Sequence, residues 1–391
     1  MKETSKISTI VAKTFFGLEE VCANELKSIG AKNIRSLNRA VAFDLDKEIL
    51  YKANLWSRTA LAFLVNISEF YFKNQDEFYN CMKKIKWENY FSPNKTIFIK
   101  SVINKTHFTN SHFVSLRAKD AIVDYFRENF DTRPSVDSES PDIKIEIYMN
   151  NDKCVVSLDS SGDSLFKRGY RKVHGEAPIN ESLAASLLLL SGYNAETPLV
   201  DPMCGSGTFA IEASLIATNT APGLLRKKFC FQNWKDFEPD LWKKIAQEAK
   251  DAIVNKDFKI TAFDINSKSV DGARQNLIRA GMLGRIELSR QDFFKFSPPP
   301  PPGLVIINPP YGERLKSDNL LELYSEIGRR LKFNYAGYKA WVISSEIKAI
   351  HQIGLKAEVK HKLMNGKLEC RFDGYELYPA SKKHVKPGNN A

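Results

Sequence analysis

Alternating hydrophobic and polar positions divide the first 160 residues into short strands and amphipathic helices. Between residues 16 and 30, apolar side chains recur with the period of a helix. They are Leu18, Val21, Cys22, Leu26 and Ile29, and Gly30 follows as a C-cap. Strands are predicted at 7–14, 40–45, 61–70 and 96–104, with a longer helix at 112–129. A hairpin over 143–160, turning at Asn150-Asn151, completes a mixed α+β region.

From about residue 165, apolar strands alternate with helices. Strands are predicted at 198–202, 259–266, 284–294, 303–310 and 338–345, and helices at 181–193, 207–219 and 269–282. Short links between such elements predict a mostly parallel sheet that is covered by helices on both faces. Asn365-Gly366, within residues 362–378, is a strong hairpin signal that would close the sheet with an antiparallel edge.

Composition and charge narrow the class of protein. The chain has 391 residues, 43% of them hydrophobic and 26% charged, which is ordinary for a soluble protein of two or three domains. It has no apolar run of the roughly 20 residues that cross a membrane and no signal-peptide core, so we expect a cytosolic protein without a membrane partner. The formal charge of +11 favours a polyanionic partner, although charge alone also allows a basic protein with no nucleic-acid role.

Cysteine spacing gives no sign of a disulfide framework or a metal site. The six cysteines are scattered, and none forms a C-x-x-C pair: Cys22, Cys81, Cys154, Cys204, Cys230 and Cys370. None of the six histidines falls in a metal or triad pattern. We therefore expect reduced thiols and no bound metal.

A glycine-bearing turn joins a strand to a helix in LVDPMCGSGTFAIEA, residues 199–213. The strand ends at Asp201, and Gly205 and Gly207 allow the backbone to approach a ligand closely. Such a turn suits a nucleotide-like ligand at the switch point of a doubly wound sheet. Close helix–strand packing is the other explanation for the two glycines.

Acidic residues mark the ends of the next two predicted strands. Asp264 could accept hydrogen bonds from both ribose hydroxyls of a nucleotide, or it could cap the helix that starts near Ser269. Asp292 could accept a hydrogen bond from an adenine amine, with Phe293 packing nearby, or it could simply form the turn.

The fourth strand runs into Asn308-Pro309-Pro310-Tyr311. Prolines lack a backbone donor and fix φ, so they end the strand and hold their neighbours stiffly. Asn308 and Tyr311 are then displayed at the carboxyl edge of the sheet, where ligands of open α/β sheets bind.

These strand ends together resemble those of class I S-adenosylmethionine-dependent methyltransferases. The tetrapeptide resembles the motif of members that methylate planar exocyclic nitrogens. Four stretches resemble the bacterial 23S rRNA guanine-N2-methyltransferases of the RlmL type: DSSGDSLFKRGYRK (159–172), LVDPMCGSGTFAIEA (199–213), NPPYGERL (308–315) and NGKLECR (365–371). The resemblance covers essentially the whole chain.

The resemblance implies an α/β architecture in several parts. A ferredoxin-like domain (1–60) and a THUMP RNA-binding domain (61–160) would precede a Rossmann-like methyltransferase domain (165–379) and a disordered basic tail (380–391). The implied partner is 23S rRNA or an assembling large ribosomal subunit. The implied cofactor is S-adenosylmethionine, held by Asp201, Cys204, Gly205, Gly207, Asp264 and Asp292.

The implied catalytic residues are Asn308, Pro309, Pro310 and Tyr311, and they suit methyl transfer to the exocyclic N2 of guanine. This amine is a poor nucleophile because its lone pair is delocalised into the ring. Asn308 and the Pro309 carbonyl would accept hydrogen bonds from it and orient the lone pair toward the methyl group. Tyr311 would stack on the flipped base. The proton can leave after methylation, so no general base is needed before attack.

Three further segments carry open interpretations. The first is a basic segment that would contact RNA phosphate or close over the cofactor, or else form a solvated linker: Lys167, Arg168, Arg171 and Lys172. The second, residues 224–237, contains three rings that would stack on RNA or pack as a helical insertion: Phe229, Phe231 and Trp234. The third, the proline run 298–302, is expected to lengthen a loop near the site.

Other functions remain open at this point. A tRNA guanine-N2-methyltransferase would share the same domain plan and motifs. A DNA adenine-N6 methyltransferase uses the same tetrapeptide but would lack the THUMP-like region. Intact Asn308 and intact glycines argue against a non-catalytic RNA-binding protein. Some relatives are fused to a second methyltransferase half, which this chain of 391 residues does not contain, so we expect one activity.

Overall fold

The computed structural model describes residues 9–171, 179–310, 317–366 and 368–379. The strands are β1 (Thr9–Lys13), β2 (Arg35–Leu37), β3 (Ala40–Asp44), β4 (Ala62–Tyr71), β5 (Ile97–Asn104), β6 (Ile143–Asn150), β7 (Lys153–Asp159), β8 (Leu199–Asp201), β9 (Ile260–Asp264), β10 (Glu287–Arg290), β11 (Gly303–Ile307), β12 (Tyr338–Ser344), β13 (Val359–Asn365) and β14 (Leu368–Glu376). The helices are α1 (Glu19–Ser28), α2 (Lys47–Trp56), α3 (Gln75–Lys83), α4 (Ser111–Phe130), α5 (Glu181–Leu190), α6 (Thr208–Ala217), α7 (Pro239–Asp251), α8 (Ser267–Arg279), α9 (Ser317–Asn334) and α10 (Ile347–His351). The predicted tail lies outside the described residues.

The chain forms two compact units. The first contains the N-terminal strand up to Thr14, then Cys22–Leu165 and Arg226–Asp251. The second contains Phe15–Val21, Phe166–Leu225 and the chain from Ala252 onward. Within the described ranges, no helix combines the length and apolar character needed to cross a bilayer.

The first unit is built on one seven-stranded sheet, in the order β2-β3-β1-β4-β7-β6-β5. Its pairs are antiparallel except β5–β6. The predicted ferredoxin-like and THUMP segments both contribute to it, because β1 pairs with β4 from Ile10–Val65 to Lys13–Ala62. The domain boundary near residue 60 therefore stays a prediction. The predicted hairpin is confirmed, and Asn150 pairs with Lys153, so Asn151 lies in the turn.

Residues Arg226–Asp251 pack within the first unit as an aromatic insertion. The ring of Phe231 stacks on Tyr51 with centroids 4.5 Å apart and planes 20° apart. Phe229, Phe231 and Trp234 are all buried. The interpretation that these rings stack on RNA is therefore wrong, since buried rings present no face to a base, and the packed-insertion alternative is confirmed.

The second unit is a doubly wound sheet in the order β10-β9-β8-β11-β12-β14-β13. Pairs from β10 to β12 are parallel, while β14 runs antiparallel to β12 and β13. The predicted antiparallel edge is therefore confirmed. The strand order reverses between β8 and β11, which creates a switch point at the carboxyl edge.

The proline run enters the sheet at the edge opposite this switch point. It precedes β11, and the Tyr338 hydroxyl, at the start of β12, donates to the Pro299 carbonyl over 2.7 Å. Gly303 and Tyr338 pair at the amino ends of β11 and β12, so the proline run reaches the sheet at the amino edge. The expectation that the prolines lengthen a loop near the site is therefore wrong.

Candidate functional site

Parallel pairing brings the predicted strand-end residues to one edge of the second unit. Asp264 pairs with Arg290 at the ends of β9 and β10, and Asp201 ends β8 beside Ala262. Asn308 follows directly after β11. Since the carboxyl ends of parallel strands meet at a single edge, these side chains form one candidate site.

Asp201 is a fully buried carboxylate whose burial is offset only in part, by the nearby backbone amide of Ala210 in α6. Its exposure is 0%, and neither carboxyl oxygen has a hydrogen-bond partner in the part of the chain that the structure describes. Burial raises the pKa of Asp201 well above its ordinary value, and repulsion from Asp264 adds to the shift. A buried, unpartnered acid at a strand end is suited to receive a cationic group of a ligand.

The two glycines of the turn have different roles. Gly205 has a φ of +51°, and a Cβ built there would meet nothing within 4 Å. Gly207 has a φ of +77°, and its Cβ would lie 3.1 Å from the Cβ of Ala273 in α8. Gly205 therefore leaves open space for a ligand, and Gly207 allows α6 to pack closely on α8. The packing explanation thus applies to Gly207, although the contact is between two helices and not between a helix and a strand, and the ligand explanation for Gly205 stays a prediction.

Asp264 fixes the glycine turn from the neighbouring strand. Its Oδ2 accepts a hydrogen bond from the Gly205 amide at 3.0 Å, and its Oδ1 accepts one from the Asn266 amide at 2.9 Å. The N-cap of α8 is Asn266, whose side chain accepts from the Lys268 amide. The capping alternative for Asp264 is therefore wrong. A carboxylate has about four lone-pair sites, so acceptor capacity remains for a ligand.

Cys204 and Asp292 take local structural roles at this edge. The Cys204 amide donates to the Phe263 carbonyl at 3.0 Å. Burial, reinforced by the nearby acids, raises the pKa of the Cys204 thiol well above its ordinary value, so the side chain is a small neutral surface. Asp292 Oδ1 accepts from the Phe294 amide at 2.9 Å, which is the turn-forming alternative. Contacts of Cys204 and Asp292 with a cofactor stay predictions.

The side-chain oxygen of Asn308 is a hydrogen-bond acceptor that receives no hydrogen bond from the described residues. Its Oδ1 is buried and has no hydrogen-bond partner among them. Pro309 is buried and Pro310 half-buried, so packing holds the backbone that directly follows Asn308. Tyr311 lies outside the described residues, and its stacking role stays a prediction.

Arg168 does not present its charge to solvent. The side chain is buried, and its Nε lies 3.5 Å from Oε1 of Glu212 in α6. The Tyr170 hydroxyl donates to the same oxygen at 3.0 Å. The prediction that Arg168 contacts RNA phosphate is therefore corrected: it neutralises a buried acid within the second unit.

Arg171 is likewise engaged inside the second unit. Its Nε lies 3.1 Å from Oε1 of Glu181, and Nη2 donates to the Thr208 hydroxyl at 2.9 Å. Because the guanidinium is occupied and largely buried, the predicted phosphate contact is corrected here as well. Lys167 is exposed, and its contact with RNA stays a prediction. Lys172 lies outside the described residues.

Sequence reasoning missed Glu181 and Glu212 as the partners of these arginines. A signal was present, because both acids sit in otherwise apolar helices. An acid that is buried in an apolar helix needs a cation beside it. The basic segment before α5 supplies that cation at two positions.

Family models match three segments of the chain. The model described as "RMKL-like, methyltransferase domain" matches residues 168–373. The chain belongs to this methyltransferase family. A THUMP domain model matches residues 72–159, and an RlmL ferredoxin-like domain model matches residues 9–61. Membership of the RMKL-like methyltransferases confirms the predicted fold class and, with it, S-adenosylmethionine as the cofactor.

Similar proteins cover nearly the whole RMKL-like chain. The Synechocystis protein "Putative RNA methyltransferase slr0064" is 38% identical over 97% of this chain and 100% of its own length. Ribosomal RNA large subunit methyltransferase K/L of Methylococcus capsulatus is 36% identical over 93% of this chain and 50% of its own length. The chain thus spans about half the length of the K/L relatives.

Solved structures agree with the described fold. SMU.472, crystallised with SAH, is 30% identical over 97% of this chain and 100% of its own, with a TM-score of 0.87. A possible methylase from Clostridium difficile 630 is 33% identical over 96% of this chain and 99% of its own, with a TM-score of 0.86. The residues at the carboxyl edge fit the cofactor, because Asp201 is a buried acid without a hydrogen-bond partner among the described residues and Gly205 borders open space.

Replacing Asp264 with alanine should weaken S-adenosylmethionine binding by about 10- to 100-fold, since hydrogen bonds to a charged group are lost. Calorimetric titration would measure the affinity. Asp271→Ala, which removes an exposed acid from α8, is the matched control and should bind normally. Unchanged affinity in Asp264→Ala would remove this residue from the cofactor site.

Glu212→Ala should lower the free energy of unfolding by about 3–5 kcal/mol, because it leaves the Arg168 charge buried without its acid. Urea denaturation would measure the loss. The double variant Arg168→Leu/Glu212→Leu should recover much of it, since two apolar side chains bury no charge. Equal stability of wild type and Glu212→Ala would contradict the buried pair.

Proposed function

We propose that this chain transfers the methyl group of S-adenosylmethionine to the exocyclic N2 of a guanine in 23S rRNA, giving N2-methylguanosine. The observation that carries the proposal is the buried Oδ1 of Asn308, which has no hydrogen-bond partner among the described residues and lies at the edge that also holds Asp201. An amide acceptor beside a cofactor site suits a substrate that presents an NH₂ group. Guanine N2 is such a group.

An RNA substrate is supported by three observations. A THUMP domain model matches residues 72–159, and curated relatives are named as methyltransferases of large-subunit ribosomal RNA. The formal charge of +11 suits phosphate contacts. We further propose the division into ferredoxin-like (1–60), THUMP (61–160) and methyltransferase (165–379) domains, with a tail at 380–391, and 23S rRNA or an assembling large subunit as the partner.

The cofactor, when bound, supplies a methyl group on a positively charged sulfur. The chain's own residues bind and orient. Asp201, Asp264 and the Gly205 turn would hold the cofactor, with Cys204, Gly207 and Asp292 beside them. Asn308 Oδ1 and the Pro309 carbonyl would accept from the guanine amine and align its lone pair with the methyl group. Pro310 limits backbone movement, and Tyr311 would stack on the base.

Asn308→Ala should keep near-normal affinity for cofactor and RNA but lose about 100-fold or more in the chemical rate, because the lost hydrogen bond acts mainly in the transition state. Single-turnover transfer of a labelled methyl group to 23S rRNA, followed by nucleoside mass spectrometry, would measure both rate and product.

Asn194→Ala is the matched control, since Asn194 is exposed in the loop before β8, at the amino edge. It should react like wild type. A normal chemical rate in Asn308→Ala, or a product other than N2-methylguanosine from the wild-type chain, would refute the proposed function.

A further inference from the structure

The β13–β14 hairpin extends beyond the rest of its sheet. Pairing between β12 and β14 ends at Ser344–Arg371. Pairing between β13 and β14 continues through Leu363–Cys370 and Met364–Glu369 to Asn365–Leu368. Three further residue pairs extend the ribbon by about 10 Å, at roughly 3.3 Å per residue.

This ribbon projects at the edge that carries Asn308. Strands β11 and β12 are parallel, with Ile307 beside Val342, so Asn308 follows at the same edge where β12 ends at Ser344. Strand β14 lies two positions from β11 in the sheet. Two strand spacings amount to about 10 Å. A nucleic acid with one base at Asn308 would therefore have its neighbouring nucleotides near the hairpin.

The root of the hairpin is anchored firmly in the second unit. Arg371 donates to both carboxyl oxygens of buried Asp373, one of them at 3.2 Å. Arg371 Nη1 lies 2.9 Å from Nε2 of His351 in α10. The ring of Phe372 stacks on Trp341 with centroids 4.6 Å apart. These contacts hold the base of the hairpin in a fixed position relative to the rest of the sheet.

An apolar stripe runs along β14 and emerges at the tip. Alternate residues point to the same face of a strand, so Phe372, Cys370 and Leu368 lie in one row. The first two are 0% exposed, whereas Leu368 is 51% exposed. The stripe thus ends in a leucine that the second unit does not cover. On β13, Lys360 and Lys362 are exposed.

We propose that this hairpin opens the RNA next to the target guanine, with Leu368 entering the base stack and the two lysines contacting phosphates. The inference rests on the proposed function, because a base must leave its stack before its amine can reach Asn308. Proteins that distort nucleic acids insert apolar side chains between bases in this way. Lys362 and Lys360 lie three and five residue pairs back from the Leu368 pair, on the other face of the ribbon, and their charge suits the phosphates of RNA that passes along the hairpin.

The test uses the full chain and two preparations of 23S rRNA, one folded with Mg²⁺ and one fragmented and heat-denatured. Total labelled methyl transfer is measured with S-adenosylmethionine as donor. Leu368→Ala should lose about tenfold on folded RNA, because the apolar side chain no longer offsets part of the cost of unstacking the bases, and little on denatured fragments. Leu368→Met, which keeps an apolar side chain, should retain transfer on both.

Leu283→Ala is the matched control. Leu283 is 48% exposed but lies between α8 and β10, at the amino edge. Equal losses on the two RNA preparations, or no loss on folded RNA, would overturn the opening role. The identity of the methylated nucleoside, determined separately, tests the proposed function. A wild-type product other than N2-methylguanosine would refute the proposed function. The ratio of methyl transfer on folded RNA to that on denatured RNA would still decide whether Leu368 opens the RNA.

Discussion

The burial of the Asp201 carboxylate, which the nearby Ala210 amide offsets only in part, is the constraint on which the candidate site depends. Removing a carboxyl group from water without a partner costs folding free energy, and this is why its pKa is raised. The direction of the neighbouring strands then decides which other residues lie at the same edge as Asp201. Because β8, β9 and β11 are parallel, Asp264 and Asn308 reach the same edge.

Two buried acids in the second unit show opposite arrangements. Glu212 lies in α6 and is paired with Arg168 and Tyr170. Asp201 is equally buried, at 0% exposure, but lacks such a pair. The pairing of Glu212 with Arg168 connects the basic segment to α6, the helix that follows the glycine turn. The arrangement at Asp201 leaves a buried carboxyl group without a hydrogen-bond partner among the described residues, which costs stability at the edge where we propose that the cofactor binds.

Strand ends and turns were predictable because their signals are local. The alternation of apolar strands with helices located Asp201, Asp264 and Asn308, and Asn365-Gly366 marked the closing hairpin. Errors arose where the outcome depended on partners distant in sequence. Nothing near Phe231 in the chain indicates that Tyr51 stacks on it, and nothing near Arg168 identifies Glu212. The proline run was placed wrongly although strand direction was sufficient to put it at the amino edge.

The most direct test of this account compares the melting temperatures of wild type and Asp201→Asn, with and without S-adenosylmethionine. Since the folded-state pKa of Asp201 is raised, its carboxyl lowers stability as the pH rises above the ordinary carboxyl range. At neutral pH the uncharged amide should therefore melt higher than wild type when free. It should also lose the stabilisation that the cofactor gives to wild type. An Asp201→Asn variant that melts lower when free and keeps the full cofactor-induced increase would contradict the account.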